Sequence, residues 1–134
     1  MIVADTNLIA YLLIGGPFTD LAQQALQRDK DWIAPPLWKH EFLNVVATSV
    51  REGYLGESRA MAVLAESEIY LRSVDHEYPA EALRLSLATR IATYDCEFIT
   101  LARRLSLHMV TADKALLKSF PETTISLKDF AAGK

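Results

Sequence analysis

The sequence predicts an α/β domain built on a parallel sheet, and three observations carry that prediction. Short, wholly apolar runs such as "IVA" at 2–4 have the character of strands buried on both faces. Those runs alternate along the chain with segments of helical periodicity, the pattern that right-handed crossover connections produce. The length, 134 residues with 51% hydrophobic and 9% aromatic content, suits one core and leaves too little for two. The expected organisation is a single domain over 1–134.

Residues 2–5 read as the first strand. A helix follows from about Leu8 to Ile14, stopped by Gly15-Gly16-Pro17, and a second runs from about Thr19 to Lys30 with Leu21, Ala22, Ala25 and Leu26 on one face. "DWIAP" is the second strand, closed by Pro35-Pro36. "LWKHEFLNVVATSVRE" is a helix ended by Gly53, and "GESRAMAVLAESEIYL" is another. "RSVDH" reads as a small strand. "PAEALRLSLATRI" opens with Pro79 in the first turn, where its missing N–H costs nothing. After a break near Thr93-Tyr94, "DCEFITLARRLS" is helical, "LHMVTAD" a strand, "DKALLKSF" a short helix stopped by Pro121, and "TTISL" the last strand.

Bulk properties exclude several classes. No apolar run approaches the ~20 residues that cross a bilayer, so no membrane role is expected. No basic leader precedes the apolar start, so no secretory signal is expected. The one cysteine, Cys96, rules out an internal disulfide and suits a reducing cytoplasm. A net charge of −3 argues against a simple basic-patch nucleic-acid binder.

Four acids stand in places where solvated carboxylates are not expected. Asp5 and Asp113 each follow an apolar strand where a helix is about to begin, the edge at which open parallel sheets bind ligands. Glu41 has Leu37 and Trp38 one turn before it and Val45 one turn after. Asp95 is flanked at helical spacing by Ile91, Ala92, Phe98 and Ile99. Asp5, Asp95 and Asp113 also fit helix N-caps, and capping does not compete with a metal site at the same helix end. A carboxylate held in low dielectric without a partner costs several kcal/mol or takes up a proton. A bound divalent cation resolves that difficulty for all four together.

"IVADTNLIAYLL", "HEFLNVV", "TYDCEFITLA" and "MVTADKALL" resemble, in order and spacing, the successive motifs of PIN-domain ribonucleases, and most closely the VapC-type toxins of toxin–antitoxin pairs. The resemblance spans Met1 to about Leu127. It implies a three-layer α/β/α fold with a central parallel sheet of four to five strands. It places the family's acidic quartet on Asp5, Glu41, Asp95 and Asp113, and its small hydroxyl and amide positions on Thr6, Asn7 and Thr111. Phe98 stands where many relatives have tyrosine. Glu97 is an additional acid, expected to be a solvated helix residue.

Oxygen-only donors suit Mg²⁺ or Mn²⁺ better than zinc, and no HxxxH or CxxC spacing exists. The implied reaction is hydrolysis of an RNA phosphodiester by water activated on one or two ions, leaving a 5′-phosphate and a 3′-hydroxyl. Asp5 and Asp95 are the expected direct ligands. Asp113 and Glu41 hold a second ion or its water, and Thr6, Asn7 and Thr111 orient them. Setting the four acids aside leaves the remaining chain at +1, so acidity does not exclude RNA. Lys39, Arg51, Arg90 and Lys114 are candidates for backbone contacts. None of His40, His76 and His108 has a paired nucleophile or carboxylate at suitable spacing, and none is assigned a catalytic role. Cys96, Trp32 and Trp38 read as packing residues.

The resemblance further implies a homodimer, with a seam on the helices at about 37–50 and 56–71, and a small cognate antitoxin. An aspartyl-phosphate phosphotransferase is disfavoured because Asn7 stands at the third position of its DxD loop and convincing later lysine and paired-acid motifs are lacking, and a receiver-like phosphoacceptor because "DTN" offers a single acid. The serious alternative is a catalytically weak PIN-fold module serving protein interaction or RNA binding.

Overall fold

The first strand of the chain, β1 (Ile2–Ala4), lies in the middle of the sheet, and much of the architecture follows from that. The computed structural model describes residues 1–75 and 77–134. β2 (Trp32–Ala34) and β3 (Leu71–Ser73) add successively on one side, while β4 (Met109–Thr111) and β5 (Thr124–Ser126) add on the other. The order is β3-β2-β1-β4-β5, and every pairing is parallel, as the apolar runs predict. Val3 pairs with Ile33 on one flank and Met109 on the other, and each strand is three residues long.

Because the winding reverses at β1, right-handed crossovers put helices on both faces. The resulting architecture is three-layer α/β/α. The steps from β1 to β3 carry α1 (Thr6–Leu13), α2 (Thr19–Arg28), α3 (Trp38–Arg51) and α4 (Glu57–Tyr70), in which α1 packs on the other three. The return to β4 carries α5 (Pro79–Thr89) and α6 (Thr93–Arg104), which pack on each other, with α6 laid on β1 and β4. α7 (Lys114–Ser119) and α8 (Leu127–Ala131) complete the fold.

The sheet's inner residues, Val3, Ala4, Ile33, Ala34 and Val110, have no accessible surface, and Leu8, Ile9, Phe98 and Ile99 close over them from the helices. Trp32 and Trp38 are core residues whose indole N–H groups donate to the Asp29 carbonyl at 2.8 Å and the Ser73 hydroxyl at 2.9 Å. Cys96 is buried and free, as expected.

Several boundaries differ from the sequence reading, each for a local reason. α1 begins two residues earlier than expected because the Asp5 carboxylate caps it, accepting from the Asn7 amide at 3.1 Å. The break placed near Thr93-Tyr94 falls instead at 90–92. Arg90 takes a left-handed conformation (φ 65°), and the Ile91 carbonyl is held by the Ser86 hydroxyl at 2.6 Å. α6 therefore starts at Thr93 behind Ala92, so Asp95 lies inside the first turn and is not its cap. "RSVDH" contributes only 72–73 to β3, and its His76 lies outside the described residues.

The final strand is shorter than "TTISL" and leads into α8, a helix the sequence reading lacked. Ser126 caps it by accepting from the Asp129 amide at 3.0 Å, an S-x-x-D spacing that signals a helix start.

Phe42, 1% exposed, packs on Trp38 between α3 and the core. Phe42→Ala should lower unfolding stability by about 3–5 kcal/mol, read from the denaturant midpoint at unchanged slope.

Candidate active site

Between β1 and β4 the chain's winding reverses, and in open α/β sheets the crevice beyond the strand ends at such a point is where ligands bind. Asp5 stands at the end of β1, its amide continuing the ladder to the Val110 carbonyl at 3.1 Å. Thr111 ends β4, and Asp113 follows two residues on. The crevice is thus lined by two acids before any helix contributes.

Two buried threonines tie the acids together. The Thr111 hydroxyl donates to Asp5 Oδ2 at 2.6 Å and accepts the Asp113 amide at 3.0 Å, bridging β1 to the start of α7. The Thr6 hydroxyl donates to Glu41 Oε1 at 2.7 Å, which draws the first turn of α3 to the first turn of α1. Asp113 caps α7, one carboxylate oxygen accepting from Ala115 at 2.8 Å and Leu116 at 3.2 Å. Asp95 comes from the opposite helical layer, on α6, and makes no hydrogen bond within the described protein. Of the second-rank residues expected, Thr6 and Thr111 therefore orient carboxylates by hydroxyl, and Asn7 does so through its backbone amide.

The charges of these side chains act on one another. Burial raises the Asp5 carboxyl above its ordinary range against the opposing hydrogen bonds from Thr111 and Asn7, and the charge of Asp113 adds to the rise. Burial also raises Asp95, with the charges of Asp5 and Asp113 adding to it. Glu41 is raised by burial and by the charges of Asp5, Asp95 and Glu97, while its bond from Thr6 opposes the rise. No ion pair among the described residues includes any of the four. Among the described residues no three His, Cys, Asp or Glu side chains stand close enough together in this structure to hold a metal ion. The donor set is all oxygen, mutually repelling and free of competing cations, which fits a hard dication.

The other candidates divide. Lys114 is exposed beside Asp113 at the first position of α7, and Arg90 is exposed in the turn before α6. Lys39 is exposed but paired with Glu68 of α4 at 2.7 Å. Arg51 lies ten residues beyond Glu41, about 15 Å along α3, and contacts Thr48. Glu97 is half-buried rather than freely solvated, and its charge acts on Glu41. His40 and His108 are exposed.

The site also includes a residue that the sequence reading missed. Tyr11, one helical turn beyond Asn7, has its phenol raised by burial and by the charges of Asp5 and Asp113. The i, i+4 spacing from Asn7 was the available signal.

A raised carboxyl binds its proton more tightly in the fold than in the unfolded chain. Its contribution to stability is present in full below the ordinary carboxylate range and is lost as pH rises through the raised value. Asp95→Asn should therefore raise the metal-free Tm at pH 7 by about 2 °C. That corresponds to roughly 0.5 kcal/mol once screening of a half-exposed group is allowed for, and the gain should vanish near pH 4. Calorimetry across that pH range measures it.

The PIN domain family model matches residues 2–121. Over 124 residues, 90% of this chain and 95% of that protein, the sequence is 25% identical to Ribonuclease VapC3 of Pyrobaculum aerophilum. The fold is similar to the crystal structure of PAE2754 from the same organism, with a TM-score of 0.79 at 16% identity over 98% of this chain and 92% of that one.

Proposed function

This chain belongs to the PIN domain family, and from that premise we propose that it is a metal-dependent endoribonuclease, the toxin of a type II toxin–antitoxin pair. One observation carries the reading. Four carboxylates from four elements act on one another through their charges beside the β1/β4 switch point, and among the described residues none of them has an ion-pair partner. The similarity to Ribonuclease VapC3 supports RNA as the substrate. An intact quartet gives no support to a catalytically weak binding module.

Asp5 and Asp95 would hold Mg²⁺ or Mn²⁺, with Asp113 and Glu41 holding a second ion or its water. The ions, when bound, would supply the positive charge that activates water and stabilises the negative charge developing on the phosphoryl and leaving oxygens. The protein's own residues set the stage for this. Thr111 fixes one oxygen of Asp5 and Asn7 the other, while Thr6 fixes one oxygen of Glu41. Asp95, with neither oxygen engaged inside the protein, is the most adaptable donor. Lys114 is the best placed of the four cations for a backbone phosphate, and Arg90 is the next.

We read 1–134 as one unit working in the cytoplasm. Among the described residues no helix is long and apolar enough to cross a membrane. Exposed Leu43, Met61 and Ile69 on α3 and α4 support a homodimer seam on those helices. A small antitoxin presenting a basic side chain to the acids is the expected regulator.

End-labelled RNA should be cut in Mg²⁺ or Mn²⁺ and left intact in EDTA, with 5′-phosphate ends on the products. Asp95→Asn should cut at least 10²-fold more slowly, at a Tm no lower than that of the parent. Equal rates for the parent and Asp95→Asn would remove the assignment.

A further inference from the structure

Beside the acids lies a cavity of about 580 Å³, within the range of small-ligand sites. It is walled by α1, α3 and the loop that follows each of them. Asn7, Tyr11, Val45, Ser49 and Tyr54 line it, with Gly15 and Gly16 at the rim. Both glycines have positive φ, and a Cβ added at either would meet nothing within 4 Å, so the rim is open.

Three properties of this cavity point to one kind of occupant. It adjoins the acidic site, since Asn7 both lines it and donates its backbone amide to Asp5, and the Tyr11 phenol feels the charges of Asp5 and Asp113. It offers two aromatic rings, one of them Tyr54 at 75% exposed. Its Asn7 amide side chain and the Tyr11 and Tyr54 hydroxyls have no hydrogen-bond partner among the described residues. An apolar peptide side chain would use none of those groups. A nucleobase uses all of them, because it has flat faces for stacking and edges that accept and donate. It is also the uncharged part of a nucleotide, which avoids the repulsion that a phosphate would meet beside the acids.

We propose that this cavity receives an unstacked base of the RNA next to the scissile phosphate, with Tyr54 as a stacking platform and Asn7 reading the base edge. The inference rests on the ribonuclease reading but makes a separate demand, selective capture of one base. Tyr54 is then a specificity-determining residue outside the acidic quartet.

The test uses full-length Asp95→Asn protein, chosen because it should cut at least 10²-fold more slowly, and short RNAs carrying 2-aminopurine at each position in turn. Stacking quenches that fluorophore. One position should be quenched saturably, with quenching retained in Tyr54→Phe and affinity at least fivefold weaker in Tyr54→Ala. The high exposure of Tyr54 makes both variants safe for folding. In otherwise unmodified protein, Tyr54→Ala should also flatten the preference among the four bases at that position at least threefold, through KM.

Quenching at no position, or quenching equal in Tyr54→Ala and the parent, overturns the proposal. So does a leucine-rich amphipathic peptide that occupies the cavity and is not displaced by RNA, which would assign it to a protein partner. No cleavage of these RNAs by the unmodified protein in Mg²⁺ or Mn²⁺, with quenching intact, would instead refute the ribonuclease reading and leave the base site standing.

Discussion

Like charge held together is the constraint on which this structure turns. Asp5 caps α1, Glu41 and Asp95 lie in the first turns of α3 and α6, and Asp113 caps α7, so all four acids stand at helix N-termini. A parallel sheet makes this arrangement natural, because a helix that directly follows a strand, as α1, α3 and α7 do, or directly feeds one, as α6 does, starts toward the sheet's carboxyl edge. Each N-terminus brings partial positive charge and free amides, worth about 0.3–1 kcal/mol to a nearby anion. That offsets the crowding without cancelling it. Asp5, Glu41 and Asp95 remain raised, so the fold retains a standing attraction for positive charge.

The threonines decide how that attraction is shaped. A lysine or arginine in place of Thr6 or Thr111 would neutralise the cluster and end its use for anything else. A buried hydroxyl instead orients a carboxylate while leaving its charge in place. Asp5 and Glu41 are thereby held by hydrogen bonds, whereas Asp95 arrives from the other layer of helices with both oxygens unengaged among the described residues.

How much of this was legible in the sequence depends on whether the determining signal was local. Asp5 and Asp113 could be read from a short apolar run ending on an acid, and both are the caps expected. Glu41 was visible because it interrupts an apolar stripe. The start of α6 was not, since its cap is Ala92, which has no polar side chain to announce it, and the break depends on Arg90 adopting a left-handed conformation that arginine does not advertise. α8 was lost for the opposite reason: Ser126 and Asp129 gave a signal, but the helix has only five residues and too few turns to show a period. Tyr11 had a local signal in its i, i+4 spacing from Asn7, but the coupling of Glu97 to Glu41 could not be read locally, because it depends on elements brought together only by the completed fold.

The brevity of the strands has its own consequence. Three residues span only about 10 Å, so the sheet is little deeper than a helix is wide. Helices on either face overhang so shallow a floor, and their first turns can reach across its lip to one another. Two more residues in β1 or β4 would lift one carboxylate about 7 Å above its neighbours and turn a shared basin into separate ledges. The thinness of the sheet is what lets two layers of helices serve one centre.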